Sequence, residues 1–404
     1  MTRTYWLPSK HIDKLSQLPR FWDTEIEDPI DGKKEITVID GHMGDISKTI
    51  ERIRAFRKKL IKSGNDRLFE IVKTKNNRYS IEAKSTVATE LERLYSSFSQ
   101  IEKWVQRTHI LAPYGRVFAD TQRRIPIRWP DVKKPHLSEE EAQTHLNRLT
   151  RIINILTKRF KNPNVIRMES NFRRGPMQNF TSTLEFLDAC AKMRSNVLML
   201  RIDLQYERSK CPITQIRDHS NRPVEYFDYD EIMRHRERLT AEINKIYGNG
   251  LVGYVIKFEL GYERGPHFHC LFILDAALHH KKDFHDYQIA GIWKDVTAGN
   301  GTYYCCKEDK YRWKIVGRRD MLDENTRIGL VFFAGYICTT ETLLKPRVPS
   351  HHRLLTKGCI TAPSAPNKVG RPPKARHADS LMNLDISERL KANLSPALKS
   401  HEAS

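Results

Sequence analysis

The residues best suited to chemistry are two histidines one position apart, His267 and His269, in Pro266-His267-Phe268-His269-Cys270. Side chains two apart on a strand share a face, so the two imidazoles project together while Phe268 turns away. Neutral imidazole nitrogens are good ligands for a divalent ion, and a paired strand can supply a third. The stretch LVGYVIKFELGYERGPHFHCLFILD reads as two strands around a Gly- and Pro-containing turn. A turn centred near Glu263 sets Glu259 across from His267, with side-chain carbons ~5 Å apart, which completes a His-His-Glu set. A bare His-x-His is more often a pair of surface histidines on a sheet. Here the apolar run Leu271 to Leu274 and the facing carboxylate favour ligands.

A metal on a basic protein suits phosphodiester chemistry, because the ion polarises a phosphoryl oxygen and withdraws developing charge. That chemistry needs a nucleophile. The mostly apolar run Arg327 to Leu344 reads as a helix with Tyr336 in its middle. A phenolic oxygen can attack phosphorus and store the bond energy as a phosphotyrosine, although most buried tyrosines are core. The alternative nucleophile is Tyr304, in Tyr303-Tyr304-Cys305-Cys306-Lys307, on a strand or loop.

The elements that must position these groups are legible as patterns. In Asn196 to Tyr206, Leu200, Ile202 and Leu204 alternate with Arg201, Asp203 and Gln205, as in a half-buried strand. Asp228 and Glu231 cap a helix that Gly248 and Gly250 end. Strand, helix and hairpin predict an α+β domain over 165–360 with a central antiparallel sheet and flanking helices. Residues 1–160 read as a basic, mainly helical N-terminal region. It carries amphipathic helices from Asp45 to Lys62, through Val87 to Val105, and after Ser138, where Ser138 and Glu141 have capping-box spacing.

Residues 361–404 read as a flexible, Pro-rich basic tail. Its Gly370-Arg371-Pro372 triplet, with Lys374 beside it, suits a narrow A·T minor groove and nominates Arg371 and Lys374 for DNA contact.

With 69 Lys and Arg against 49 Asp and Glu, the net charge of +20 points to a polyanion, nucleic acid first. Seven cysteines without CxxC spacing argue against a disulfide framework or zinc knuckle. No stretch approaches the ~20 apolar residues of a membrane helix, so a cytoplasmic protein without membrane partners is expected. The sequence has no GxxxxGK[ST] loop, so no nucleotide cofactor is expected and a host helicase would have to be recruited.

An apolar strand ending in Arg201-Ile202-Asp203-Leu204, a His-hydrophobic-His strand and a tyrosine-bearing helix, in that order, resemble the three motifs of HUH endonucleases. The stretch from about 165 to 360, including Gly299 to Gly317 and the ending HRLLTKG, looks more narrowly like YagK/YfjJ-type replication proteins, related to the gene-two product of filamentous phages (inoviruses). The resemblance implies an HUH/Rep nickase-like fold and a rolling-circle replication initiator from a phage or mobile element. It implies His267, His269 and less securely Glu259 as ligands of Mg²⁺ or Mn²⁺. Tyr336 would nick single-stranded or origin DNA, leaving a 5′-phosphotyrosine and a 3′-hydroxyl that a host polymerase extends. Members usually carry a lysine three residues after the tyrosine, and this chain has Thr339. That departure leaves two readings: a variant compensated by Lys345, or a degenerate relative that binds DNA without cutting.

Overall fold

The computed structural model describes residues 26–27, 34–35, 380–384, and 41–358 without 65–67, 75–76, 128–131, 133–135, 208–209, 218–222, 262–263 and 307–314. Arg371, Lys374 and the Gly370 triplet lie outside the described residues. In chain order the strands are β1 (Ile26–Glu27), β2 (Lys34–Glu35), β3 (Phe69–Lys73), β4 (Tyr79–Ala83), β5 (His109–Leu111), β6 (Asn196–Tyr206), β7 (Ile213–Arg217), β8 (Pro223–Phe227), β9 (Leu251–Gly261), β10 (Gly265–Asp275), β11 (Gly301–Cys305), β12 (Gly317–Asp320), β13 (Leu344–Pro346) and β14 (Leu355–Lys357). The α-helices are α1 (Gly41–Ser63), α2 (Thr86–Thr108), α3 (Pro113–Arg124), α4 (Glu139–Lys161), α5 (Pro163–Met193), α6 (Tyr229–Tyr247), α7 (Lys282–Val296) and α8 (Glu324–Thr339).

The chain forms two compact units, Gly41–Met177 with Thr340–Arg347, and Met1–Asp40 with Gln178–Thr339 and Val348–Ser404. The division therefore falls at 177/178, not at 160–165, and one unit recruits a later segment. The reason is α5, a continuous 31-residue helix that carries the chain through the boundary with Pro176 inside it. A boundary inside a helix leaves no loop or change of composition to read.

The first unit packs α1 to α4 on the apolar stripes foreseen, with Ile46, Ile50, Leu91, Phe98, Leu149 and Phe160 all buried. Ser138 and Glu141 form a reciprocal capping box at α4. The unit is not purely helical. It contains the β3–β4 hairpin and a short ladder in which β13 pairs antiparallel with β5, Leu344 facing Leu111. Leu343 and Leu344 are buried in this core.

The second unit is built on a six-stranded sheet in the order β11-β6-β10-β9-β14, with β12 also pairing β6. Every pairing is antiparallel, as an α+β domain requires. The central strands β6, β9 and β10 are each 11 residues long and almost wholly buried. Burial of both faces explains why their sequences are more apolar than a half-exposed strand allows.

One face carries Leu200, Ile202, Leu204, Phe258, Phe268 and Phe272 against Leu239 and Ile243 of α6 and Ile289 and Trp293 of α7. Asp228 caps α6, its carboxylate accepting from the Glu231 amide at 3.0 Å. The opposite face carries Arg201, Asp203, Lys257, Glu259, His267 and His269, all buried or nearly so. The second half of α5 lies on that face so closely that a Cβ on Gly253 would sit 2.7 Å from Phe186 and 2.9 Å from Cys190. The described cysteines are free thiols, and Cys190, Cys270, Cys306 and Cys338 are buried. No helix among the described residues is long and apolar enough to cross a membrane.

Candidate metal centre and active site

The β9–β10 register pairs Gly261 with Gly265, Glu259 with His267 and Lys257 with His269. Gly265 adopts φ +67°, a left-handed conformation natural to glycine where the chain re-enters the ladder. Its carbonyl accepts from His267 Nδ1 at 3.0 Å. On the other side of β10, β6 sets Asp203 opposite His269. The Asp203 carboxylate accepts from His269 Nδ1 at 2.7 Å. Both rings thus have Nδ1 committed as a donor, which leaves Nε2 of each as the nitrogen available to a ligand.

The two Nε2 atoms converge on one carboxylate oxygen. Glu259 Oε2 is 3.3 Å from His269 Nε2 and 3.9 Å from His267 Nε2. The ligand atoms of the three residues lie within 4.8 Å of one another. Glu259 Oε1 is buried and has no hydrogen-bond partner. A buried carboxylate oxygen without a donor is costly, and a cation beside it removes that cost. The donor set and this orphaned oxygen fit a divalent ion.

Electrostatics divide the two histidines. Burial, aided by the neighbouring His269, brings His267 down to about 4, so its ring is neutral and ready to ligate. Burial also opposes charge on His269, but the carboxylates of Asp203 and Glu259 outweigh it and hold this ring up to about 9. For the carboxylates the balance is the mirror image. Burial would raise both, yet His269 dominates and keeps Asp203 and Glu259 ionised, with Arg201 assisting at Asp203 and Lys257 at Glu259.

Helix α8 brings Tyr336 onto this group. Its phenolic oxygen is 2.7 Å from His269 Nε2, and the rings meet edge to face at 5.0 Å. The guanidinium of Arg201 lies over the Tyr336 ring, 5.3 Å from its centroid. Burial and the Glu259 and Asp203 carboxylates push the phenol well above its usual range, while Arg201 and Arg264 pull against them. The phenol is therefore neutral at neutral pH.

Two expectations need correction. The tyrosine helix spans Glu324–Thr339, not Arg327 to Leu344, and Tyr336 stands in its last turn rather than its middle. It begins earlier because the Asp323 carboxylate accepts from the Thr326 amide at 3.0 Å. It stops at Thr339, beyond which a 3-10 turn leads into β13. Thr339 itself is buried, its hydroxyl donating to the Gly335 carbonyl at 2.7 Å. Lys345 donates to the Phe172 carbonyl within the other unit.

Tyr304 lies on β11, where it pairs with Asp203, so its phenol belongs to the same sheet row as Asp203 and His269. Its hydroxyl is buried without a hydrogen-bond partner. In the sequence Asp203 and Arg201 were legible as the polar side of an alternating strand and as part of the first motif of the HUH resemblance, with no site role assigned to either. Their roles beside His269 and Tyr336 depend on the pairing of β6 with β10 and on the docking of α8.

Comparison with family models, with curated proteins and with solved structures finds no match for this chain.

Proposed function

We propose that the chain is a metal-dependent nickase and strand transferase acting on single-stranded DNA, a rolling-circle replication initiator that works through a 5′-phosphotyrosine. One distance carries the reading: the phenolic oxygen of Tyr336 lies 2.7 Å from His269 Nε2, the nitrogen that also faces Glu259. A nucleophile and a ligand set in contact are what phosphoryl transfer from a strand requires.

His267, His269 and Glu259 would hold the ion, Mg²⁺ or Mn²⁺. Bound there, it would polarise a non-bridging phosphoryl oxygen and absorb charge in the transition state. The remaining work falls to side chains. Asp203 fixes the His269 ring. Arg201 supplies a cation beside the phenol as it loses its proton. Tyr336 Oη releases its proton to water and bonds to phosphorus, the bond from phosphorus to the 3′ oxygen breaks, and the departing oxygen takes up a proton from water to become a 3′-hydroxyl. Return attack by a 3′-hydroxyl breaks the phosphotyrosine bond and rejoins a strand.

Labelled single-stranded DNA incubated with Mn²⁺ should yield a covalent adduct with the wild type and none with Tyr336→Phe or His267→Ala. Equal cleavage by all three proteins would remove the proposal. Loss of the adduct with Tyr304→Phe but not Tyr336→Phe would move the nucleophile to Tyr304.

A second reading, a DNA-binding relative that does not cut, is favoured by Thr339, whose hydroxyl is spent on its own helix and brings no cation near Tyr336. Salt-sensitive DNA binding with no adduct in any metal would select it.

A further inference from the structure

We propose that Asp230, His351 and His352 form a second divalent-metal site, of the zinc class, separate from the buried His267–His269–Glu259 group. Asp230 stands in the first turn of α6, and the two histidines lie in the turn that precedes edge strand β14. That turn is closed by the His352 amide donating to the Pro349 carbonyl at 3.0 Å. It sets the adjacent imidazoles side by side, with centroids 4.0 Å apart. Both Nε2 atoms point at one oxygen, Asp230 Oδ1, from 2.7 Å for His352 and 3.2 Å for His351. The three ligand atoms lie within 4.8 Å of one another.

The neighbouring acids are engaged elsewhere. Asp228 caps the Glu231 amide, and Glu231 pairs with Arg234 and His235. Of the carboxylates that open this helix, Asp230 is the one turned to the histidines. Two imidazole nitrogens and one carboxylate oxygen form a donor set that Zn²⁺ and its first-row neighbours take readily. The His352 side chain is held at 12% exposure, while His351 and Asp230 remain at 65% and 64%, so the site stays open to exchange. An ion here would tie the start of α6 to the segment before β14, whose Leu354 carbonyl accepts the Phe258 amide of β9. It would therefore brace the sheet edge.

Zinc titration of the full-length protein tests this. The wild type should bind two equivalents, and the His351→Ala/His352→Ala protein should lose one. The His267→Ala/His269→Ala protein should keep one, and Zn²⁺ should raise its Tm by several degrees. That shift should vanish when His351→Ala and His352→Ala are added, and Asp230→Asn should weaken the surface equivalent at least tenfold. Millimolar Mg²⁺ should not displace it. Unchanged zinc stoichiometry in the His351→Ala/His352→Ala protein would overturn the site, as would zinc binding abolished by His267→Ala/His269→Ala alone. The surface equivalent is read without DNA cleavage, so it stands or falls independently of the nickase proposal.

Discussion

His269 holds three relationships at once. Its Nδ1 is locked to Asp203 and its Nε2 is shared by Glu259 and Tyr336. Because those carboxylates hold the ring up to about 9, the metal-free protein carries a proton there at neutral pH. An ion must displace that proton, so its affinity should rise with pH toward 9, by up to about tenfold per unit. Calorimetry in buffers of different ionisation enthalpy should detect the proton released. Asp203→Asn removes the largest of the interactions holding the proton, so binding should level off at lower pH. It should also weaken the ion ~10–100-fold once proton competition is absent, as expected when a carboxylate that orients a ligating histidine is lost. A metal titration repeated across pH reads both effects, and an unchanged pH profile would deny Asp203 its positioning role.

At the scale of elements, the centre depends on how closely two helices approach one face of the sheet. α5 comes near enough to β9 that Gly253 has no room for a methyl group without moving Phe186 or Cys190. Gly253→Ala should therefore cost about 1–3 kcal/mol of stability by overpacking, read from the midpoint of chemical denaturation. In the other unit the capping box of α4 is exposed and local. Ser138→Ala should cost about 1 kcal/mol through the lost hydrogen bond to the Glu141 amide, without altering zinc or manganese binding.

The whole molecule carries a charge of +20, so under the proposed function DNA affinity would be an electrostatic quantity. Fluorescence anisotropy with single-stranded DNA should show log affinity falling linearly with log salt, by ~0.7 per phosphate neutralised. A flat salt response would argue against nucleic acid as the partner. Chain connectivity imposes a second expectation. Thr340–Arg347 belongs to the unit formed by Gly41–Met177, where β13 covers the edge of β5 and Leu343 and Leu344 are buried. A fragment starting at residue 165 would leave those leucines without their core and should bind a hydrophobic dye or aggregate on size-exclusion chromatography. The full chain should do neither.

How much was legible in the sequence follows from the range of the interactions involved. Alternation along β6, the His-x-His pair and the capping residues Ser138 and Asp228 are short-range signals, and the two faces and helix starts they imply are those observed, although β6 is buried on both faces rather than half-buried because helices cover each side. The facing of Glu259 and His267 was also readable, because a tight hairpin ties register to turn position. What no local pattern contained was the partner across each long gap: Asp203 against His269, 66 residues apart, and Tyr336 against the same ring, 67 apart. Such contacts are decided by which strand edges pair and which helix covers which face, a competition settled by burial over the whole domain rather than by any one segment. The residue types able to do the chemistry were thus set by sequence, and their convergence on one imidazole nitrogen by tertiary packing.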